Sequence, residues 1–179
     1  MTTTFETAPD DVIISTPIAR PASHPAVDAD APPPAHAGLV CRLAESQGAA
    51  WVDEESIEAW SQLGGDRVVL LAGDPVRFPQ GLDVAAVLPE LRKCADKPFE
   101  YAVVPRASED RLAKRYGANH WPTLLFLREG KYVTAIGGMH DWQPYLSAVN
   151  AALQMPTSRA PTVGIPVVGA GASAASSCN

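Results

Sequence analysis

Val68-Val69-Leu70-Leu71-Ala72 is apolar without interruption and β-branched at its start. A strand with one wet face alternates apolar and polar residues. A continuous run therefore predicts a strand covered on both faces, as in a parallel sheet with helices on either side. Gly73-Asp74-Pro75 breaks the run. Tyr101–Val104 reads as a second buried strand. Thr123–Leu127 and Lys131–Ile136 flank Arg128-Glu129-Gly130, the signature of an antiparallel hairpin.

Helical spacing fills the intervals. Leu39, Val40, Leu43 and Ala44 form a first stripe that ends at Gly48, and Ala50-Trp51-Val52 follows as a short apolar run. Asp53 stands as N-cap to a helix over Glu54–Leu63, stopped by Gly64-Gly65. Leu82–Ala95 places Val84, Val87, Leu88, Leu91 and Ala95 on one face, with Pro89 expected to kink it. Arg106–Tyr116 ends at Gly117, and Asp141–Leu153 carries a stripe of Trp142, Tyr145, Leu146, Val149 and Leu153. The expected order is β-α-β-α-β-α-β-β-α after one extra helix. Strand–helix–strand crossovers make the early strands parallel, and the hairpin adds an antiparallel edge, so the class is α/β with a central mixed sheet.

Composition bounds what such a domain does. With 14 Lys and Arg against 20 Asp and Glu, the formal charge is −6, which gives nucleic-acid binding no electrostatic support. Cys41, Cys94 and Cys178 form no C-x-x-C pair; Cys41 and Cys94 lie among apolar residues and read as buried structural thiols. His24, His36, His120 and His140 are scattered, so no metal site and no cofactor are expected. The acidic start MTTTFETAPDD resembles no targeting signal, and no run approaches the ~20 apolar residues of a membrane helix. A cytoplasmic protein without membrane insertion is the simplest expectation. Residues 1–37 are Pro/Ala-rich and residues 156–179 Gly/Ala/Ser-rich, so both are expected to be disordered tails around a domain over 38–155, with VGIPVVG in the second tail apolar enough to dock.

The stretch Arg115-Tyr116-Gly117-Ala118-Asn119-His120-Trp121-Pro122-Thr123-Leu124-Leu125-Phe126-Leu127 resembles the thioredoxin pattern of helix end, Y-G, loop, apolar-Pro-Thr and buried strand. Gly137-Gly138 matches the glycine after that family's last strand. The resemblance implies a thioredoxin-like fold, a cis Pro122, and a Trp121 backbone beside a peptide-binding groove. It also implies C-G-P-C after the second strand, where a helix N-terminus lowers a thiol pKa. Here Ala72 to Asp83 contains no cysteine, and Val69 stands where that family buries an acid. Dithiol exchange is not expected.

A narrower resemblance covers Leu39 to Leu153. It includes the extra helix, a strand ending in A-G-D-P-V-R, the long loop, L-D-V-A-A-V-L-P-E-L, R-Y-G, W-P-T-L-L-F-L-R-E-G-K-Y-V and D-W-x-x-Y-L. These features are similar to the NiFe-hydrogenase accessory proteins of the HyaE/HupG/HoxO type. The resemblance implies a non-catalytic chaperone or assembly factor. Its implied partners are the hydrogenase small-subunit precursor, with its twin-arginine signal peptide, and other maturation proteins. A groove is expected from Gly73, Asp74, Pro75, Trp121, Pro122, Gly137 and Gly138, with carboxylates suited to a basic peptide. Bland alternatives stand beside it. Asp74 is a turn former or an arginine contact, Trp121 a core residue or an exposed anchor, and Asp141-Trp142 an N-cap and core aromatic or a recognition pair. A thiol oxidoreductase using Cys41 or Cys94, and a passive scaffold for other maturation proteins, remain the competing functions.

Overall fold

The computed structural model describes residues 37–161. The elements are α1 (Ala37–Ser46), β1 (Ala50–Trp51), α2 (Ser56–Ser61), β2 (Asp66–Leu71), α3 (Gln80–Cys94), β3 (Phe99–Val103), α4 (Arg106–Tyr116), β4 (Thr123–Arg128), β5 (Lys131–Gly137) and α5 (Trp142–Gln154). Their order is the expected one, including the extra helix. The sheet runs β1-β3-β2-β4-β5. The pairs β1/β3 and β2/β3 are parallel, while β2/β4 and β4/β5 are antiparallel. This is a thioredoxin-like sheet.

Successive residues of each central strand point to opposite faces, and both faces are apolar. Val68, Leu70, Tyr101, Val103, Leu124 and Phe126 pack with residues of α1, α3 and α5. Val69, Leu71, Ala102, Leu125 and Leu127 pack with Ile57 of α2 and with Leu112, Ala113 and Tyr116 of α4. The uninterrupted Val68–Ala72 run is thus explained by a sheet covered twice. Each fully buried Leu or Ile adds about 1.5–3 kcal/mol by removing its surface from water.

Local chemistry fixes the ends. Asp53 Oδ1 accepts the N–H groups of Glu55 (3.1 Å) and Ser56 (2.9 Å), while Ser56 Oγ accepts the Asp53 N–H at 2.9 Å. Asp53 therefore caps α2 as expected, although the regular helix begins only at Ser56. Gly117 ends α4 at φ 68°, and Glu129 and Gly130 (φ 50° and 76°) turn the β4–β5 hairpin. Arg128 ties the sheet to the end of α5, bonding Asp66 at 2.6 Å and the carbonyls of Leu153 and Met155 at 2.8 Å each. α3 is unbroken through Pro89.

Three expectations need correction. Trp142 is not in the core: it is 39% exposed, because it opens α5 while Tyr145 one turn later carries the contact. Cys94 is exposed and Cys41 half-buried, since the buried face of α3 runs through Val84, Leu88 and Leu91 and leaves position 94 outside. Residues 156–161 are not a loose tail. Ser158 donates to the Tyr132 carbonyl at 2.7 Å, and Ala160 packs against the α2–α4 core. The remaining parts of both expected tails, with VGIPVVG, lie outside the described residues.

Candidate functional site

The predicted groove residues meet at the end of the sheet where β2 and β5 stop and β4 begins. Leu71 pairs with Thr123, and Thr123 with Gly137. The Gly138 N–H donates to the Pro122 carbonyl at 2.7 Å. The Trp121–Pro122 peptide bond is cis, and Pro122 is buried. Gly73 leaves β2 at φ 83°, and a Cβ there would stand 3.0 Å from both the Trp121 and Phe78 rings. Those rings stack at 6.1 Å between centroids. Trp121 is therefore half core, half lid: it covers Gly73 and packs on the α2–α4 side.

Asp74 is a turn former. Its Oδ1 accepts the N–H groups of Val76 (2.9 Å) and Arg77 (3.0 Å), and its carbonyl accepts Phe78 N–H at 2.7 Å. The Arg77 and Val76 amides hold the Asp74 carboxyl below the usual carboxylate range, helped by the guanidinium groups of Arg106 and Arg77. That carboxylate is therefore engaged by the amides of its own loop. Pro75 follows Asp74 and lines a cavity on the other side of the loop.

That cavity, about 160 Å³, is bounded by Cys41, Trp51, Phe78, Leu82, Arg106 and Glu109. Glu109 was not anticipated from sequence. Its side chain is 2% exposed, and Oε1 accepts the Ala72 N–H at 2.6 Å and the Gly73 N–H at 3.0 Å. Burial pushes its carboxyl up, against the opposing pull of the Gly73 and Ala72 amides and of Arg106, whose guanidinium lies 3.4 Å away. The signal was present: Glu109, Leu112, Ala113 and Tyr116 share one helical stripe, so an acid sits where the pattern demands an apolar residue. Val69 is fully buried and apolar, as its place in the strand required.

The site has little thiol chemistry. Cys41 is the cysteine that reaches the cavity, and burial, with Glu45 nearby, pushes its thiol up, away from the reactive thiolate. Among the described residues, no group of three or more His, Cys, Asp and Glu side chains is placed to hold a metal ion. Nor is any of their helices long and apolar enough to cross a membrane.

What stays open is backbone and apolar surface. Among the described residues, neither the N–H nor the carbonyl of Trp121 has a hydrogen-bond partner. Gly138, at φ 83°, has nothing within 4 Å of where a Cβ would point. Gly137 is closed instead, its Cβ position lying 2.8 Å from His120. Val76, 80% exposed, and Met139, 38% exposed, present apolar side chains from the loop and from the residue after Gly138.

Residues 39–145 match the family model described as hydrogenase-1 expression protein HyaE. The chain is 50% identical over 145 residues to the hydrogenase expression/formation protein HoxO of Cupriavidus necator, covering 80% of this chain and 88% of that one. It is 35% identical over 120 residues to the protein HupG of Bradyrhizobium diazoefficiens, covering 67% and 80%. A solved structure, the putative hydrogenase expression/formation protein hupG of Rhodopseudomonas palustris, is 31% identical with a TM-score of 0.42, over 58% of this chain and 94% of its own. The names of these relatives support a role in hydrogenase maturation. The chain belongs to the HyaE family of hydrogenase expression proteins.

Proposed function

We propose that this chain is a non-catalytic assembly factor that binds the hydrogenase small-subunit precursor in the cytoplasm, while its twin-arginine signal peptide is still attached. The contact surface is the end of the sheet formed by Gly73, Asp74, Pro75, Trp121, Pro122, Gly137 and Gly138. The observation that carries this reading is the unpaired Trp121 backbone beside the open approach at Gly138. An extended peptide there completes a backbone pairing left unmade among the described residues, as in strand addition.

Val76 and Met139 add apolar contact, which suits the apolar part of a signal peptide better than its arginine pair. Asp74 Oδ1 already accepts the Val76 and Arg77 amides, which points the same way, so binding should weaken little as salt rises. The test is capture of the precursor, with and without its signal peptide, by the wild-type chain and by Val76→Asp and Met139→Asp. Both positions are exposed, so both variants keep the fold. Capture that needs the signal peptide and falls at least tenfold in both variants supports the reading. Equal capture by all three chains removes the groove from it.

A further inference from the structure

The cavity on the far side of the Gly73–Pro75 loop lies where the connections of the sheet part. β2 and β3 are parallel neighbours. The chain leaves β2 for α3, whose Val84, Leu88 and Leu91 pack on one face of the sheet. It leaves β3 for α4, whose Leu112, Ala113 and Tyr116 pack on the other. The two strand ends therefore open into a crevice, the place where open parallel sheets take their ligands. Ala72 and Gly73, just beyond β2, and Val104 and Pro105, just beyond β3, line the cavity there.

Its size and walls limit what can enter. Val40, Trp51, Phe78 and Leu82 give it an apolar wall around about 160 Å³. An apolar cavity of about 150 Å³ holds one benzene-sized ring, whereas pockets for whole small molecules run from about 300 to 1,000 Å³. A single ring fits here, which suits a side chain whose backbone stays outside. Aromatic side chains seated in pockets of this kind carry much of the energy of protein interfaces. Glu109 is the fully buried polar side chain in the lining, and a carboxylate has about four acceptor sites. Oε1 spends two on Ala72 and Gly73, while Oε2 has only longer contacts, 3.2 Å to the Gly73 nitrogen and 3.4 Å to Arg106. Arg106 is itself paired with Asp110 at 3.0 Å, so it does not call for an anion. The lining asks for one ring with one neutral donor.

We propose that this cavity is an anchor site for a tyrosine side chain of a partner protein, its ring against Trp51, Phe78 and Leu82 and its hydroxyl donating to Glu109 Oε2. Gly73 and Pro75 border both this cavity and the strand-end surface, so one partner can reach both. The anchor does not depend on that partner being the precursor.

The test titrates the full wild-type chain with N-acetyl-tyrosinamide and, separately, with N-acetyl-phenylalaninamide, followed by NMR of the backbone and indole N–H groups. The tyrosine probe should bind saturably in the millimolar range and move the signals of the Trp51 indole and of the Gly73, Leu82 and Glu109 amides. It should bind at least about tenfold more tightly than the phenylalanine probe, the factor a hydrogen bond to a charged acceptor supplies. Leu82→Trp fills the cavity with an indole and should weaken the tyrosine probe at least about tenfold. Leu82 is half-buried and belongs to neither core cluster, so the variant should keep the fold, which unchanged signals in β4 and α5 would verify. The two wild-type titrations decide the matter even if that variant does not fold. Equal affinity for the two probes overturns the proposal. So does the absence of saturable shifts, their confinement to Trp121 and Gly138, or unchanged binding by folded Leu82→Trp. If p-cresol binds at least about tenfold more tightly than the tyrosine probe, the proposal also falls, because the cavity then takes a free ring and shuts out the backbone that carries it. Precursor capture is read in its own experiment, so either reading can fail while the other stands.

Discussion

Replacing Glu109 tests whether the groove loop is held from beneath by a buried carboxylate. In Glu109→Ala the Ala72 and Gly73 N–H groups lose the oxygen that accepts them at 2.6 and 3.0 Å. An unsatisfied buried donor costs about 1–3 kcal/mol, so two cost ~2–6 kcal/mol. Removing a buried charge offsets part of this, and the net loss should be about 2–4 kcal/mol. Glu109→Gln keeps one carbonyl oxygen for both amides and removes the charge. It also turns the second oxygen, 3.2 Å from the Gly73 nitrogen, into a donor. These effects oppose each other, and the variant should stay within about 1 kcal/mol of wild type at pH 7. Because burial raises the Glu109 carboxyl, the folded state holds that proton longer than the unfolded state. The associated stability is complete below the ordinary carboxylate pKa and is lost as pH rises through the folded value. Wild type should therefore lose ground to Glu109→Gln as pH rises out of that range. Urea unfolding at several pH values, with m compared between variants, measures both effects. A loss below about 0.5 kcal/mol in Glu109→Ala would refute the anchoring argument. So would Glu109→Gln proving as costly as Ala, or the pH difference running the other way.

Four further outcomes follow from local geometry. Asp53→Ala removes the acceptor of the Glu55 and Ser56 amides and should lower stability by about 1 kcal/mol, read from the urea midpoint. Gly81→Ala brings a Cβ to 2.2 Å from the Ala72 carbonyl oxygen and should cost about 1–3 kcal/mol. Gly38→Ala, with nothing within 4 Å, should instead gain about 0.5–1 kcal/mol in a thermal melt. With iodoacetamide near neutral pH, Cys94 should be alkylated before Cys41, and Cys41 at least about tenfold more slowly than in the urea-unfolded chain, as mass spectrometry of its peptide reports.

The element order was legible because both periods are strong: the uninterrupted Val68–Ala72 run and the stripes of α3, α4 and α5 leave little choice of architecture. Ends were less legible. β2 starts at Asp66, two residues before its apolar run, because the Asp66–Arg128 ion pair and the β3 and β4 ladders extend it through polar side chains. Trp121, Pro122, Gly137 and Gly138 come together because strand ends meet there, whatever each does. Their individual roles were not legible. Gly137 is closed by His120 while Gly138 is open, a difference set by backbone angle and neighbours that no residue type encodes. Trp142 was misplaced because helical period gives a direction and not how far a helix overhangs the sheet.

The same geometry says why the loop after β2 is ordered without a dithiol. A redox thiol after β2 needs free backbone donors and a helix N-terminus to stabilise its thiolate. Here the Ala72 and Gly73 amides are spent on Glu109. The Gly81 and Leu82 amides at the start of α3 donate to the Phe78 and Pro79 carbonyls, at 3.0 Å each. The Trp121 and Phe78 rings close over Gly73. These amides, which would face a nucleophile there, hold the loop instead. The Trp121 backbone and the space at Gly138 belong to the other half of the site and are untouched by these bonds. On the proposed reading, an ordered loop beside that strand end lowers the entropic cost of binding an extended peptide, because the surface is ordered before the peptide arrives.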